Sequence, residues 1–442
     1  MKPGLSAPPL NALWDLPQPR IMAVLSAAGL DDCDYLHWEK LRQLEPPAGL
    51  ATVEWWLALK WRRNAAAMPL PMLKAVNGRP LLITRHARMD AAFSRLDRQL
   101  TGFQSLPESL ANEASRDRYL VSSLMEEAIH SSLFEGAVST REAAKDLLRS
   151  DRPPATRDER MIVNNYRAMN HLRDIRGEAL RVETVLELHR IMTDGTLDDP
   201  TAAGRIQTPD EPRVCVVDHR QHRVVHQPPP AESLPERLER LVAFANGPDE
   251  EDGRYVHPIL RAILLHFQLA YEHPFADGNG RTARALFYWC LLNRGYWMAE
   301  FLSISRLLYR GRGAYERAYV QVESDDQDGT YFALQQLDVL GRAVDELFAH
   351  VERKRQQQRQ LERRLRNDPD LNHRQLAVLN HALRTPDAHY THESHANSHR
   401  ISVMTARADL QSLVARGWLK QRRSGKRFIY TPAPGLDARL EH

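Results

Sequence analysis

The sequence predicts a mainly α-helical protein of several domains, with one β-hairpin near its middle and a smaller helix–hairpin unit at its C-terminal end. Three observations carry this expectation. The chain has 442 residues, more than one hydrophobic core usually organises. Apolar residues recur at helical spacing through most of its length. Ahead of the C-terminal unit, only residues 214–226 read as strands, with β-branched runs on both sides of a polar turn from Asp218 to His222. Hydrophobic residues make up 43% and charged residues 26%, proportions that exclude a mostly disordered or collagenous chain.

The elements follow in order. Residues 1–100 form a helical extension in which Val53, Trp56, Leu57 and Trp61 share one face, and Met68-Pro69-Leu70-Pro71 ends that helix. The three tryptophans there are read as a core stripe. Val121, Leu124, Met125 and Ala128 mark a helix over about 117–136, stopped by Gly136. Thr156 and Glu159 form a capping box that opens a helix to about Arg173. A further helix spans Val182 to Met192, with His189 a structural histidine. Pro228 to Pro230 end the hairpin, and helix resumes over Pro235–Phe244. Ile259, Ile263, Leu264, Phe267 and Tyr271 define the face of one central helix, and residues 281–293 form the next. The domain bounded by 101–342 gives way to a charged helical linker at 343–369 and a C-terminal domain at 370–435.

The charge is uneven. Residues 351–442 hold 18 Lys/Arg against 9 Asp/Glu, while the rest holds 42 against 48, so a net charge of +3 conceals a basic tail on an acidic body. That asymmetry points to nucleic acid as a partner of the tail. No apolar stretch reaches the roughly 18 residues of a membrane span. The first ten residues lack the apolar region of a secretion signal. The three cysteines (Cys33, Cys215 and Cys290) show no CxxC spacing. The expected location is cytoplasmic, without a disulfide framework.

Between the two central helices runs His273-Pro274-Phe275-Ala276-Asp277-Gly278-Asn279-Gly280-Arg281-Thr282-Ala283-Arg284. Gly278, Asn279 and Gly280 form an anion nest that opens into a helix N-terminus with unpaired donors and a positive dipole. Arg281 and Arg284 stand on neighbouring turns, spaced to grip phosphate oxygens. Asp277 offers a carboxylate to Mg²⁺, and His273 takes a proton near neutral pH.

This stretch resembles the Fic motif HPFx(D/E)GNGRxxR at every defined position, and the likeness covers roughly residues 100–340. The resemblance implies a Fic helical bundle with a β-hairpin flap. The implied activity is transfer of AMP from ATP to Ser, Thr or Tyr hydroxyls of target proteins and of the enzyme itself. It makes His273 the general base and Asp277 the Mg²⁺ ligand. Gly278, Asn279, Gly280, Arg281, Thr282 and Arg284 contact phosphate, with Arg284 at the γ-position. Phe275 anchors the loop, and Tyr315 falls near the adenine. Val224, Val225 and His226 belong to the flap that pairs with a target strand. Ser131-Ser132-Leu133-Phe134-Glu135-Gly136 is similar to the family's inhibitory (S/T)xxxE(G/N) helix. Ser131, Glu135 and Gly136 are its candidate residues, with Glu135 withholding Arg284. Two alternatives stand beside this reading: a DNA-binding regulator with a nucleotide-sensing body, and transfer of another nucleotide or phosphate-linked group.

In the tail, helices around Leu371–Leu383 and Ser402–Arg416 precede a hairpin with a basic tip. The pattern looks like a winged helix-turn-helix. Arg422, Arg423, Lys426 and Arg427 would contact DNA phosphates, and the same surface would equally serve a homodimer or another partner. The histidines at 389, 392, 395 and 399 are read as a polar helix surface.

Overall fold

Helical periodicity is realised through most of the chain, and two helices buried on nearly every side set its centre. The computed structural model describes all residues except 1–5, 30, 103–112, 151, 219–222, 252, 367, 369, 386–387, 425–426 and 442. Two units result: Met1–Ser105 with Leu120–Asp345, and Leu106–Tyr119 with Glu346–His442. Among the described residues, no helix is long and apolar enough to cross a membrane.

The larger unit opens with α1 (Gln18–Ser26) and α2 (Thr52–Ala66). Trp56 is fully buried and Trp55 and Trp61 pack beside it, so the tryptophan stripe is core. After α2 the structure departs from the expected loop. β1 (Ala67–Lys74) and β2 (Pro80–Thr84) form an antiparallel hairpin with Pro69 opposite Leu82. The prolines read as breakers sit on a two-stranded ribbon, where a strand has an outer edge that needs no donor. A second short pair, Glu250–Glu251 with Arg254–Tyr255, also escaped the sequence reading; two-residue strands carry no readable alternation.

Next come α3 (Ala87–Leu100), α4 (Glu113–Phe134), α5 (Arg157–Asp174) and α6 (Val182–Thr193). At the start of α5, Thr156 accepts from the Glu159 amide at 3.1 Å, while the Glu159 carboxylate reaches the Ala155 amide at 2.7 Å. The central hairpin pairs β3 (Val216–Asp218) with β4 (Arg223–His226), and a register shift falls between Val216 and Val217.

After α7 (Leu234–Asn246), α8 (Pro258–Glu272) and α9 (Asn279–Asn293) form the centre. On α8 even Arg261, His266 and Gln268 are buried, so the expected single apolar face is a helix enclosed on all sides. α10 (Ile304–Arg310) and α11 (Arg312–Ser324) complete the bundle, and α12 (Thr330–Arg366) follows as one helix of 37 residues. Glu127 on α4 holds the start of α10: its carboxylate accepts from the Ser303 hydroxyl at 3.1 Å, the Ser305 amide at 3.0 Å and the Ser305 hydroxyl.

Buried charge ties the N-terminal extension to this bundle. Arg63 donates to Asp32 at 2.6 and 2.8 Å and to the Tyr331 hydroxyl at 2.8 Å. Its guanidinium lies 3.9 Å from the Tyr35 ring centroid. Lys60 pairs with Asp325, and the Tyr35 hydroxyl donates to Asp328 at 2.7 Å.

The smaller unit contains α13 (His373–Arg384), α14 (His392–His399), α15 (Val403–Ala415), β5 (Leu419–Ser424) and β6 (Arg427–Pro432). Leu379, Leu410, Leu413 and Tyr430 form its core, and an antiparallel bridge joins Tyr390 to Tyr430. The histidines depart from a purely polar surface. His395 is buried 3.2 Å from Asp409, which also binds Arg374 at 2.7 Å, and His392 meets the Tyr430 hydroxyl at 2.7 Å. A buried carboxylate on α15 needs cationic and hydrogen-bonding partners, and these side chains supply them.

Removing Arg63 leaves Asp32 buried without its cation. Arg63→Ala is expected to lower unfolding stability by about 3–5 kcal/mol, read as a fall in the urea midpoint. An unchanged midpoint contradicts a structural role for the pair.

Candidate active site

The α8–α9 joint begins where α8 stops. His273 adopts a left-handed conformation, φ 47° and ψ 51°, and its amide still caps the helix on Leu269. That region is costly for a residue with a Cβ, by about 1–2 kcal/mol, so the surroundings must hold it. They do so from both sides. Asn279 accepts from the Phe275 amide at 2.9 Å and donates to the Phe275 carbonyl at 2.8 Å. His189 stacks on the Phe275 ring with centroids 3.8 Å apart. Its Nε2 donates to the Asp277 carbonyl at 2.9 Å, and its Nδ1 accepts from the Gly204 amide at 3.0 Å. Burial pushes His189 down to about 4, which keeps the ring neutral in those two roles.

His273 Nδ1 lies 3.3 Å from the Ala270 carbonyl. A carbonyl only accepts, so Nδ1 carries the hydrogen and Nε2 keeps its lone pair. Burial pushes this imidazole down to about 4. A neutral ring with Nε2 available is the form that a base requires.

At the loop's tip, Gly278 has φ 81° and caps α9. A Cβ there would lie 2.9 Å from Thr193 Cγ2. The Asp277 carboxylate is half exposed; it accepts from the Gly278 amide at 2.6 Å and stands 3.4 Å from Arg281. Arg281 is buried, donating to the Met192 carbonyl at 3.0 Å. The Thr282 hydroxyl is also buried and donates to the Gly278 carbonyl at 2.9 Å. The side chains of Asn279 and Thr282 therefore brace the loop from within, leaving the α9 backbone amides to face an anion.

Arg284 is as enclosed as Arg281, 1% exposed. Its Nε donates to Ser131 Oγ at 3.0 Å, and its Nη2 to the Ser131 carbonyl at 3.1 Å and Glu135 Oε1 at 2.9 Å. The guanidinium carbon is 5.1 Å from the Phe134 ring centroid. Burial opposes its charge, and Glu135, Tyr315 and Glu127 together outweigh that, so its pKa is raised. Glu135 also fills the space over the nest: a Cβ on Gly280 would lie 2.2 Å from Glu135 Oε1. Gly136, with φ 97°, turns the chain away from α4 immediately afterwards.

Tyr315 is buried behind Arg284. Its hydroxyl meets His266 Nε2 at 2.9 Å and Tyr319 at 3.1 Å, and its ring stands edge-on to Phe134 at 5.5 Å. In the hairpin, His226 Nε2 donates to the Tyr271 carbonyl at 2.7 Å, and Nδ1 lies 2.7 Å from Glu323. The His226 side chain thus fastens the base of the hairpin to α8. Val224 pairs with Val217 through the backbone, and the register shift leaves Val225 without a direct partner. Arg422, Arg423 and Arg427 are exposed on β5 and β6, and Lys426 lies outside the described residues. Two contributors were missed in the sequence: Phe134, hidden in an apolar helix end, and Arg213, in a stretch with no period to flag it.

Residues 179–291 match the model of the Fic/DOC family. Over 122 residues the chain is 36% identical to "Protein adenylyltransferase Fic" of Nematostella vectensis, covering 27% of this chain and 25% of the relative. It is 33% identical over 119 residues to "Protein adenylyltransferase fic-1" of Caenorhabditis elegans, covering 27% and 20%. The match thus spans a quarter or less of these curated relatives. A solved Fic family protein from Desulfovibrio desulfuricans G20 superposes with a TM-score of 0.53 at 18% identity, over 80% of this chain and 98% of that one, a likeness of fold. The chain carries a Fic domain.

The two tight glycines differ in what a side chain would meet, since nothing lies within 4 Å of a Cβ on Gly136. Gly278→Ala is expected to lower the melting temperature more than Gly136→Ala, which bears only a backbone cost of about 1 kcal/mol. Equal shifts would remove the steric claim at Gly278.

Proposed function

We propose that this protein is an adenylyltransferase that moves AMP from ATP to a Ser, Thr or Tyr hydroxyl of a protein, itself included, and that Glu135 restrains it. The observation that carries this reading is the meeting of a neutral His273, the N-terminus of α9 and a buried Arg284 around one loop. The curated relatives named protein adenylyltransferase match over this same region.

In this reading, Nε2 of His273 takes the proton of the incoming hydroxyl. The hydroxyl oxygen bonds to the α-phosphorus, the bond from that phosphorus to the bridging oxygen breaks, and pyrophosphate leaves. Amides at the start of α9 bind phosphate oxygens, and Arg284 takes the γ-phosphate. Asp277 fits a Mg²⁺ ligand, because Mg²⁺ uses one or two carboxylates with substrate phosphates and the rest water. Mg²⁺ there would neutralise phosphate charge. The β3–β4 hairpin receives the target segment by strand addition, a role supported by its two-stranded form.

While Glu135 holds Arg284, the γ-phosphate loses its cation and meets a carboxylate instead. Glu135→Gly is expected to raise auto-modification with α-labelled ATP by roughly tenfold or more, the equivalent of one charged hydrogen bond. His273→Ala in that background should abolish the label. No rise in Glu135→Gly would refute the restraint. Label carried by another nucleotide, with none from ATP, would reassign the transferred group.

For the smaller unit, we infer a winged helix that binds duplex DNA. Lys420, Arg422, Arg423 and Arg427 are exposed on its hairpin, and α15 exposes Val403, Met404 and Arg407. Phosphate contacts make binding salt-dependent, with a slope of about −0.9 per contact in log–log form. Replacing Arg422 and Arg423 by alanine should reduce that slope by about 2, measured by fluorescence anisotropy with a mixed-sequence duplex. Unchanged affinity and slope in the double variant would exclude this surface.

A further inference from the structure

Arg213 lies two residues after a proline–acid turn and three before β3, in a segment with no regular structure. Its guanidinium nevertheless spends every nitrogen on four fixed acceptors. Nε donates to the Pro229 carbonyl at 2.8 Å, Nη1 to Gln207 Oε1, and Nη2 to the carbonyls of Glu272 at 2.9 Å and His273 at 3.1 Å. Gln207 is tied in turn, its amide donating to the Pro274 carbonyl at 2.9 Å and its side chain to the Pro212 carbonyl at 3.0 Å.

These bonds join three things. The first is the entry leg of the hairpin, which carries Arg213 itself. The second is the exit leg, reached at Pro229, three residues beyond the end of β4. The third is the left-handed peptide of His273, whose carbonyl direction follows from its unusual φ. A planar fork of fixed geometry is suited to this in a way that a point charge on a flexible stem is not.

We infer that Arg213 is a positioning residue: it holds the His273 backbone in its left-handed turn and sets the hairpin at one height over Nε2. It does not touch the nest, so ATP binding is separate from its action. The inference rests on His273 being the base and the hairpin being the target-binding flap. Its effect is to bring base and target hydroxyl into one frame, where an error of about 1 Å costs on the order of 100-fold in rate.

The test uses the full-length chain in the Glu135→Gly background, with Arg213→Ala, Arg213→Lys and Gln207→Ala. The maximal auto-modification rate should fall roughly 10- to 100-fold in Arg213→Ala, with KM for ATP unchanged within about twofold. Arg213→Lys keeps the charge and loses the fork, so it should stay closer to Arg213→Ala than to the parent. Gln207→Ala should give a smaller loss with the same KM pattern. A rate within twofold of the parent for Arg213→Ala overturns the inference, and so does a KM for ATP that rises in step with the loss.

A second readout needs no transfer. In ¹⁵N-histidine spectra the parent should show His273 in the Nδ1–H tautomer alone, and Arg213→Ala should show mixed tautomers as the turn loosens. An unchanged tautomer in a folded Arg213→Ala protein overturns the inference. If the parent itself transfers no AMP while the tautomer still responds, the proposed activity fails and the positioning role stands.

Discussion

A guanidinium shut away from water needs a negative partner, and the centre of this protein is built around that need. Arg284 sits at 1% exposure on a helix whose neighbours are Phe, Tyr and Trp. An unpaired charge in such a place costs several kcal/mol. The end of α4 answers it with Ser131 on one edge, the Phe134 ring beside it and the Glu135 carboxylate at 2.9 Å. Behind it, His266 is held down to about 3 by burial first and by Arg284 second. That ring stays neutral, so it adds no positive charge beside the guanidinium. Residues of α4, α8 and α11 surround this charge on α9.

The same economy governs the loop. Its polar side chains are mostly turned inward, with Asn279 on Phe275, Thr282 on Gly278 and Arg281 on Met192. Loops with exposed polar groups are mobile, whereas this one is braced by side chains that have left water. What remains free to face a ligand is backbone: the first amides of α9, whose donors have no partner within the helix. The motif's conspicuous residues thus divide into those that shape the nest and the few that face it.

Much of this was legible in the sequence, and the exceptions have physical reasons. The central helices, the hairpin and the glycine nest of the loop could be read because apolar spacing and glycine placement are local signals. The Glu135–Arg284 pairing was also anticipated, through the motif on α4. The β1–β2 hairpin was missed because its prolines lie on a two-stranded ribbon, where the rule against proline in sheets does not apply. Arg213 and Phe134 were missed because the contacts that tie them to the loop and to Arg284 run over sequence separations of 59 and more, which no local pattern encodes. His189 was read as structural, but nothing in its helix showed that the structure it serves is the Asp277 carbonyl.

In the proposed reading, the Glu135 carboxylate and a nucleotide phosphate make the same two demands. Each seeks the positive end of α9, and each seeks Arg284. The two cannot share the place, because Glu135 Oε1 lies where even a methyl group on Gly280 would collide. Exclusion is therefore steric as well as electrostatic, and raising salt would weaken only the second part. A helix end that supplies its own anion keeps the buried arginine paired in either state. The protein need not bear an uncompensated charge while α4 stands aside, provided that a phosphate arrives as the glutamate leaves. In the proposed reading, restraint and substrate binding are alternative ways of neutralising one cation. Glu127 ties α4 to the Ser303–Ser305 turn through its carboxylate.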